Sequence, residues 1–260
     1  MPARGSELIR VGHKGADAIV PGNTVASFKA AVDVGVDVVE LDVLRPRSDF
    51  LGDADWRTAP AGPVADIRGA EPAPLVIAHD WGDAEGRDPM TLDEGLAAFT
   101  RSPLDRVEID LDLKTAGRED EVVDALRRHG LVGRALISTM EIRSLVLLRS
   151  LEPDLRLGWT YPHVTRPWDR TRWARPLVAG AGAAMRRRLP QLATRRIPEI
   201  GARLMWVYHP LVTARLVTAL GAAGVKLIAW TVDDPARMRD LVDLGVDGIC
   251  TNDPRLFDSL

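Results

Sequence analysis

Eight short runs along the chain carry the apolar, β-branched character of buried strands. They are LIRVGH (8–13), VDVVELDV (36–43), RVEIDLDLK (106–114), ALIST (135–139), LRLGWTY (155–161), LMWVYH (204–209), KLIAWTV (226–232) and VDGICT (246–251). Most are separated by segments long enough for one helix. NTVASFKAAVDVG shows helical spacing directly, with Val25, Phe28 and Val32 on one face and Gly35 as a stop. Eight strands alternating with helices predict an α/β fold, a single (β/α)8 TIM barrel, in preference to an open doubly wound sheet. The chain 1–260 reads as one domain with two additions: an insertion after the second strand, 43–74, and a basic segment after the fifth, 166–196.

The first addition is rich in proline and glycine and has no amphipathic period, so it supplies no crossover helix. A parallel neighbour normally needs such a crossover. The run PLVIAHD (74–80) is therefore expected to fold back antiparallel as an arm over the barrel mouth. That places His79 at the C-terminal end of the second strand, near Asp42.

Charges in two strands interrupt the apolar pattern. In VELDVLRP, Glu40 and Asp42 share one face while Val39, Leu41 and Val43 share the other, because residues two apart point the same way. Two buried like charges repel, so a positive group should lie between them. In VEIDLDLK, Val107, Ile109, Leu111 and Leu113 would meet the helices, and Glu108, Asp110, Asp112 and Lys114 would line the interior. Barrel chemistry sits at the C-terminal ends of strands, which selects Asp112 and Lys114 and leaves Glu108 a structural role. Glu40, Asp42 and Asp112 then offer three hard oxygen ligands suited to Mg²⁺ or Ca²⁺. Salt bridges to interior arginine and lysine account for the same spacing.

With 46% hydrophobic residues, the 260-residue chain can bury one large core. A net charge of −3 argues against a general nucleic-acid binder. The lone cysteine, Cys250, excludes an internal disulfide and suits a reducing compartment. With no apolar run of membrane-spanning length, the expectation is a cytoplasmic protein. The segment 166–196 holds nine arginines and one aspartate, with Trp168 and Trp173 ahead of a weakly apolar centre, 177–185, and arginines on both sides of it. Such a composition fits peripheral contact with an anionic membrane at its inner surface, and equally a solvated basic loop. Trp230 ends a strand and is a candidate apolar wall for substrate, although core packing is expected for most of the seven tryptophans.

The ordered set GHKG (12–15), PGNTVASFKAAVDVGVDVVELDV (21–43), AHD (78–80), LDLK (111–114), LIST (136–139), AWTVDD (229–234) and GVDGICTNDP (245–254) resembles the glycerophosphodiester phosphodiesterase family over nearly the whole chain. That family has a (β/α)8 barrel of the phospholipase C-like phosphodiesterase type. Its members split glycerophosphodiesters into glycerol 3-phosphate and an alcohol. The resemblance implies a divalent metal ion, Mg²⁺ or Ca²⁺, on Glu40, Asp42 and Asp112, with His13 and His79 as acid and base. Imidazole suits both proton transfers because its pKa lies near neutrality. Lys14 and Lys114 would neutralise charge on the phosphodiester in the transition state. His129 and His163 fall in helix-end or loop contexts away from the site, while His209 could reach the mouth from another strand.

Three positions depart from the family's usual pattern. Gly22 stands where it has Glu, Lys14 where it has Arg, and Asp112 where it has the longer Glu. Only four of the 34 basic residues are lysines, so Lys14 and Lys114 are not the default choice here. Restoring Arg at 14 and Glu at 22 is expected to raise turnover, and removing Glu40 or Asp42 to leave the metal-free fold as stable or more so. Two other activities remain open: phospholipase D-type hydrolysis or lysis of lysophospholipids, and a catalytically impaired barrel that binds phospholipid.

Overall fold

The structure, a computed structural model, describes residues 8–45, 73–80, 89–163 and 175–260. Eight strands run parallel: β1 (Ile9–Gly12), β2 (Val38–Leu44), β4 (Glu108–Leu113), β5 (Ala135–Thr139), β6 (Arg156–Tyr161), β7 (Leu204–Tyr208), β8 (Lys226–Trp230) and β9 (Gly248–Thr251). β1 pairs with both β2 and β9, Val11 lying opposite Val38 on one side and Cys250 on the other. The sheet is thereby closed, and the open doubly wound alternative is excluded. The short β3 (Val76–Ile77) lies antiparallel on β2, with Ile77 opposite Val43 and Val76 opposite Leu44. This antiparallel pairing is the folded-back arm expected from the sequence. Residues 46–72 of the insertion lie outside the described residues, as do residues 166–174 of the basic segment.

Among the described residues, seven helices surround the barrel: α1 (Val25–Val34), α2 (Leu92–Ala98), α3 (Glu119–Arg128), α4 (Ile142–Leu151), α5 (Arg175–Ile200), α6 (Ala214–Ala222) and α7 (Pro235–Leu244). The Thr24 hydroxyl accepts from Ser27 N–H at the start of α1. Gly35, left-handed at φ 91°, closes that helix by donating to the carbonyls of Ala31 and Val32. Fully buried Phe28 meets Phe99, the C-cap of α2, at 5.2 Å between ring centres and ties α1 to the end of that helix.

Strand alternation separates two apolar regions. Val39, Leu41, Val43, Ile109, Leu111 and Leu113 face outward into the core shared with the helices. Val11, Val38, Leu136, Leu204, Trp206, Ile228 and Cys250 fill the barrel interior. Below this inner layer Arg156 donates to Glu108 at 2.7 Å, the structural role expected of Glu108. Towards the C-terminal ends of the strands the interior turns acidic, with Glu40 opposite Asp110 and Asp42 opposite Asp112.

Of the two readings open for 166–196, α5 excludes the solvated loop over its described part. Residues 175–196 belong to the helix that links β6 to β7, in spite of Pro190 and Pro198. Leu189, Ala193, Ile197 and Ile200 are buried on one helical stripe, and their packing outweighs the low helix propensity of proline. α5 has 26 residues where the other helices have 7 to 10, a length of about 39 Å. Arg186 Nε donates to the Pro210 carbonyl at 2.6 Å, just past the C-terminal end of β7. Position 186 is thus level with the rim, and the helix backbone from 175 to 185 continues beyond it on the mouth side.

Candidate active site

The closed register brings Glu40, Asp42 and Asp112 to one mouth, where a ligand atom of each lies within 4.8 Å of the others. Lys114, two residues beyond Asp112, places Nζ 2.5 Å from both Asp42 Oδ1 and Asp112 Oδ2. This ammonium is the positive group that the paired carboxylates require. Burial pushes the Lys114 ammonium pKa down, but Asp112 and Asp42 overcome it and hold the group well above its ordinary value. Burial likewise pushes Asp42 up, yet Lys114 and the His79 contact keep its carboxyl well below the usual range. Glu40 goes the other way: burial and repulsion from Asp42 push it well up.

The three carboxylates and one ammonium leave a formal charge of −2. A divalent cation would balance it, and the all-oxygen donor set fits Mg²⁺ or Ca²⁺. Beneath this layer Asp110 is fully buried and accepts from Ser138 Oγ at 2.8 Å. Burial and the Asp112 charge push its carboxyl well up, which suits a neutral acid in the barrel interior.

The expectation that removing either carboxylate would spare the metal-free fold fails for Asp42. Asp42 is the acceptor for Asn23 Nδ2 at 2.9 Å, lies 3.1 Å from His79 Nδ1, and is an ion-pair partner of Lys114. Its loss takes an acceptor from buried Asn23 and leaves Lys114 with Asp112 alone of its two carboxylate partners. Glu40 differs, because its side chain accepts chiefly from the Lys14 N–H at 2.7 Å and is repelled by its neighbours.

Two histidines face the same mouth. His13 Nδ1 lies 2.6 Å from Asn252 Oδ1. Asp233 fixes that amide, accepting from Asn252 Nδ2 at 2.6 Å and from Asn252 N–H at 2.9 Å. With the Asn252 oxygen turned to His13, the proton is assigned to Nδ1 and Nε2 is left with its lone pair. Burial pushes the His13 pKa down, against Asp42 and Asn252, which push it up. His79 is brought in by the antiparallel arm, and its Nδ1 faces Asp42 Oδ2.

Asn23, Asn252 and Asp233 received no individual role from the sequence, although all three lie in the motif stretches quoted above. Asn23 clamps Asp42 by donating from Nδ2 and accepting the Asp42 N–H at 3.1 Å. It does so from a left-handed conformation, φ 58°, which asparagine tolerates better than most residues.

Other candidates fall where the register puts them. Trp230 lies opposite Tyr208, their rings 5.6 Å apart at the C-terminal ends of β8 and β7. His209 does not join the mouth: it starts a 3-10 turn outside the barrel and lines a surface cleft with Arg186, Pro210 and Arg237. His129 and His163 pair with Asp93 and Glu141, away from the acidic cluster. Cys250 is buried inside the barrel, and burial pushes its thiol well up, so it is no nucleophile.

Comparison with known proteins gives a consistent picture. A model of the glycerophosphoryl diester phosphodiesterase family matches residues 13–49 and 100–256. A glycerophosphodiester phosphodiesterase of Caldanaerobacter subterraneus is 27% identical over 262 residues, covering 96% of each chain. One from Bacillus subtilis is 25% identical over 270 residues, covering 96% of this chain and 85% of that one. Among solved structures, an Oleispira antarctica phosphodiesterase in complex with the product sn-glycerol-3-phosphate superposes with a TM-score of 0.62 at 21% identity, over 96% of this chain and 95% of that one. The glycerophosphodiester phosphodiesterase of Thermotoga maritima gives 0.64 at 16% identity, over 98% and 99%. At these identities the structural likeness speaks for the fold.

Proposed function

Because this chain belongs to the glycerophosphoryl diester phosphodiesterase family, we propose that it acts as one catalytic domain that hydrolyses glycerophosphodiesters to glycerol 3-phosphate and an alcohol. The observation that carries this reading is the convergence of Glu40, Asp42 and Asp112 with two imidazoles on one barrel mouth.

A divalent cation on the three carboxylates would polarise a non-bridging phosphate oxygen and acidify the nucleophile. The remaining work belongs to side chains of the mouth. His13, neutral and with Nε2 free, is suited to take a proton from the attacking oxygen, either water or a neighbouring substrate hydroxyl. Asn252 and Asp233 hold its ring through that transfer. His79, oriented by Asp42, is suited to protonate the departing alkoxide. Lys14 and Lys114 offset the charge that grows on the phosphoryl oxygens, and Trp230 with Tyr208 gives the alcohol an apolar wall.

A second reading, phospholipase D-type cleavage of lysophospholipids at a membrane surface, is favoured by α5. Its backbone rises past the rim beside the mouth, and Arg186, Arg187 and Arg188 are exposed on it. Among the described residues no helix is long and apolar enough to cross a membrane. Contact would therefore be through this helix at the surface.

The test is turnover by purified protein of glycerophosphocholine, glycerophosphoglycerol and lysophosphatidylcholine, each with Mg²⁺, Ca²⁺ or EDTA. Release of glycerol 3-phosphate only with a cation supports the first reading. Preference for lysophosphatidylcholine moves the assignment to the second. No turnover of any substrate with either cation leaves the impaired, phospholipid-binding barrel.

A further inference from the structure

Position 22 carries no side chain, yet a carboxylate stands at the place where one would be. Asp17 Oδ1 accepts the Gly22 N–H at 2.7 Å, and Asp17 Oδ2 lies 3.4 Å from Lys14 Nζ. A Cβ on Gly22 would fall 2.5 Å from Asp17 Oδ1, 2.8 Å from Asp17 Cγ and 2.7 Å from Lys14 Cβ. Gly22 does not have a positive φ, so the obstacle to a side chain there is space rather than backbone conformation. Asp17 and a residue larger than glycine at position 22 compete for one site beside Lys14.

The two residues that Asp17 ties together hold the acidic cluster. Lys14 donates its N–H to Glu40 Oε2 at 2.7 Å, and its carbonyl accepts from Asn23 N–H at 3.0 Å and Ser27 Oγ at 2.9 Å. Asn23, next to Gly22, clamps Asp42. Lys14 and Asn23 are both left-handed, at φ 51° and 58°, a conformation that persists only where neighbours hold it. Asp17 joins residue 22 to residue 14 across the base of this loop. Its side chain is 31% exposed, so the ion pair with Lys14 adds little stability through charge alone. Its effect lies in the shape of the loop.

We propose that Asp17 is a positioning residue of the catalytic mouth, supplying from the loop after His13 the carboxylate that Gly22 lacks and fixing Lys14 and Asn23 against Glu40 and Asp42. The proposal rests on the phosphodiesterase reading for its effect on turnover, but its effect on cation binding does not. It also reverses the expectation for the departures at 14 and 22. With Asp17 in place, Gly22→Glu drives a side chain into occupied space and lowers activity.

The experiment compares wild type with Asp17→Ala, Gly22→Glu and the double variant Asp17→Ala/Gly22→Glu. Each is measured for kcat/KM on glycerophosphocholine, for Mg²⁺ and Ca²⁺ affinity by calorimetry, and for melting temperature. Asp17→Ala is expected to lose about tenfold to a hundredfold in kcat/KM, the range of a hydrogen bond to a charged group, and to bind the cation more weakly. Gly22→Glu alone is expected to lose activity as well. The double variant should recover both properties in part relative to Asp17→Ala, because the carboxylate returns to the same place from the other side while the new Cβ, 2.7 Å from Lys14 Cβ, still displaces that residue. A merely structural Asp17 would shift the melting temperature without such recovery. If Asp17→Ala keeps cation affinity and kcat/KM within twofold of wild type, or the double variant is no better than Asp17→Ala in either, the proposal is overturned. Should the wild type turn over no glycerophosphodiester, the functional reading falls, and the calorimetry alone decides on Asp17.

Discussion

Lys114→Met isolates the electrostatics of the mouth, because methionine keeps most of the side-chain volume and removes only the ammonium. That ammonium lies 2.5 Å from Asp42 Oδ1 and from Asp112 Oδ2, with Asp42 fully buried. Breaking a buried pair by deleting one partner costs about 3–5 kcal/mol. The upper end is limited, because the site can bind a proton instead. Protonating a carboxyl of ordinary pKa near 4 at pH 7 costs about three units at 1.36 kcal/mol each, or roughly 4 kcal/mol. The expected loss at pH 7 in EDTA is therefore about 3–4 kcal/mol. At roughly 2–4 °C per kcal/mol for a domain of this size, that is a fall in melting temperature of about 6–15 °C.

Saturating Mg²⁺ or Ca²⁺ replaces the missing charge, so the gap between variant and wild type should at least halve. Lowering the pH should narrow it too. Asp42 has a depressed folded pKa in the wild type, so its stabilising contribution is present above the unfolded value and is lost as pH falls through the folded one. In the variant the unpaired carboxyls titrate higher, so the variant gains stability relative to wild type as pH drops below 7. Thermal unfolding followed by circular dichroism, with EDTA or excess cation at pH 7 and pH 5, checks each step. A gap under about 1 kcal/mol in EDTA, or one indifferent to cation, would refute the view that Lys114 balances this cluster.

Asp42→Ala should lower the melting temperature in EDTA while Glu40→Ala leaves it within a few degrees, and both should abolish cation-dependent turnover. Melting curves and the glycerophosphocholine assay on the same preparations separate the two effects. The acid limb of kcat/KM should have its midpoint below 6.5, because burial lowers the His13 pKa from that value, and a bound cation pushes the same way. Asn252→Ala removes a contact that raises it, so a pH profile of that variant should show the limb displaced further to acid and a reduced plateau. Changing Arg186, Arg187 and Arg188 to Gln should weaken co-sedimentation with anionic vesicles and leave neutral vesicles unaffected. Equal binding by both forms returns α5 to a purely structural role.

Sequence and structure agree where one rule decides, and part where several compete. Strand alternation alone put Glu40 with Asp42, and Asp112 with Lys114, on the inner face. The absence of an amphipathic period in 43–74 alone pointed to an antiparallel arm at 74–80, and that arm delivers His79 to Asp42. Pairing rules predicted a positive group between the carboxylates but could not choose between a metal ion and Lys114, because that depends on how far β4 reaches past Asp42. In α5 the glycines and Pro190 lower the helix propensity. The opposing signal, apolar residues at 189, 193, 197 and 200, was in the same stretch, and burial against the barrel decided the outcome.

Gly22 shows a different limit. Read position by position it is a missing carboxylate, and the natural inference is a weakened site. Chemistry, however, acts at points in space, and a point beside Lys14 can be reached from position 17 as well as from position 22. The loop after His13 brings those positions within one hydrogen bond of each other, Gly22 N–H donating to Asp17 Oδ1. The same logic applies to His13, whose ring is held by Asn252 from 239 residues away along the chain. A departure from a motif is therefore evidence of lost function only after the space around it has been searched for a group that took over the role.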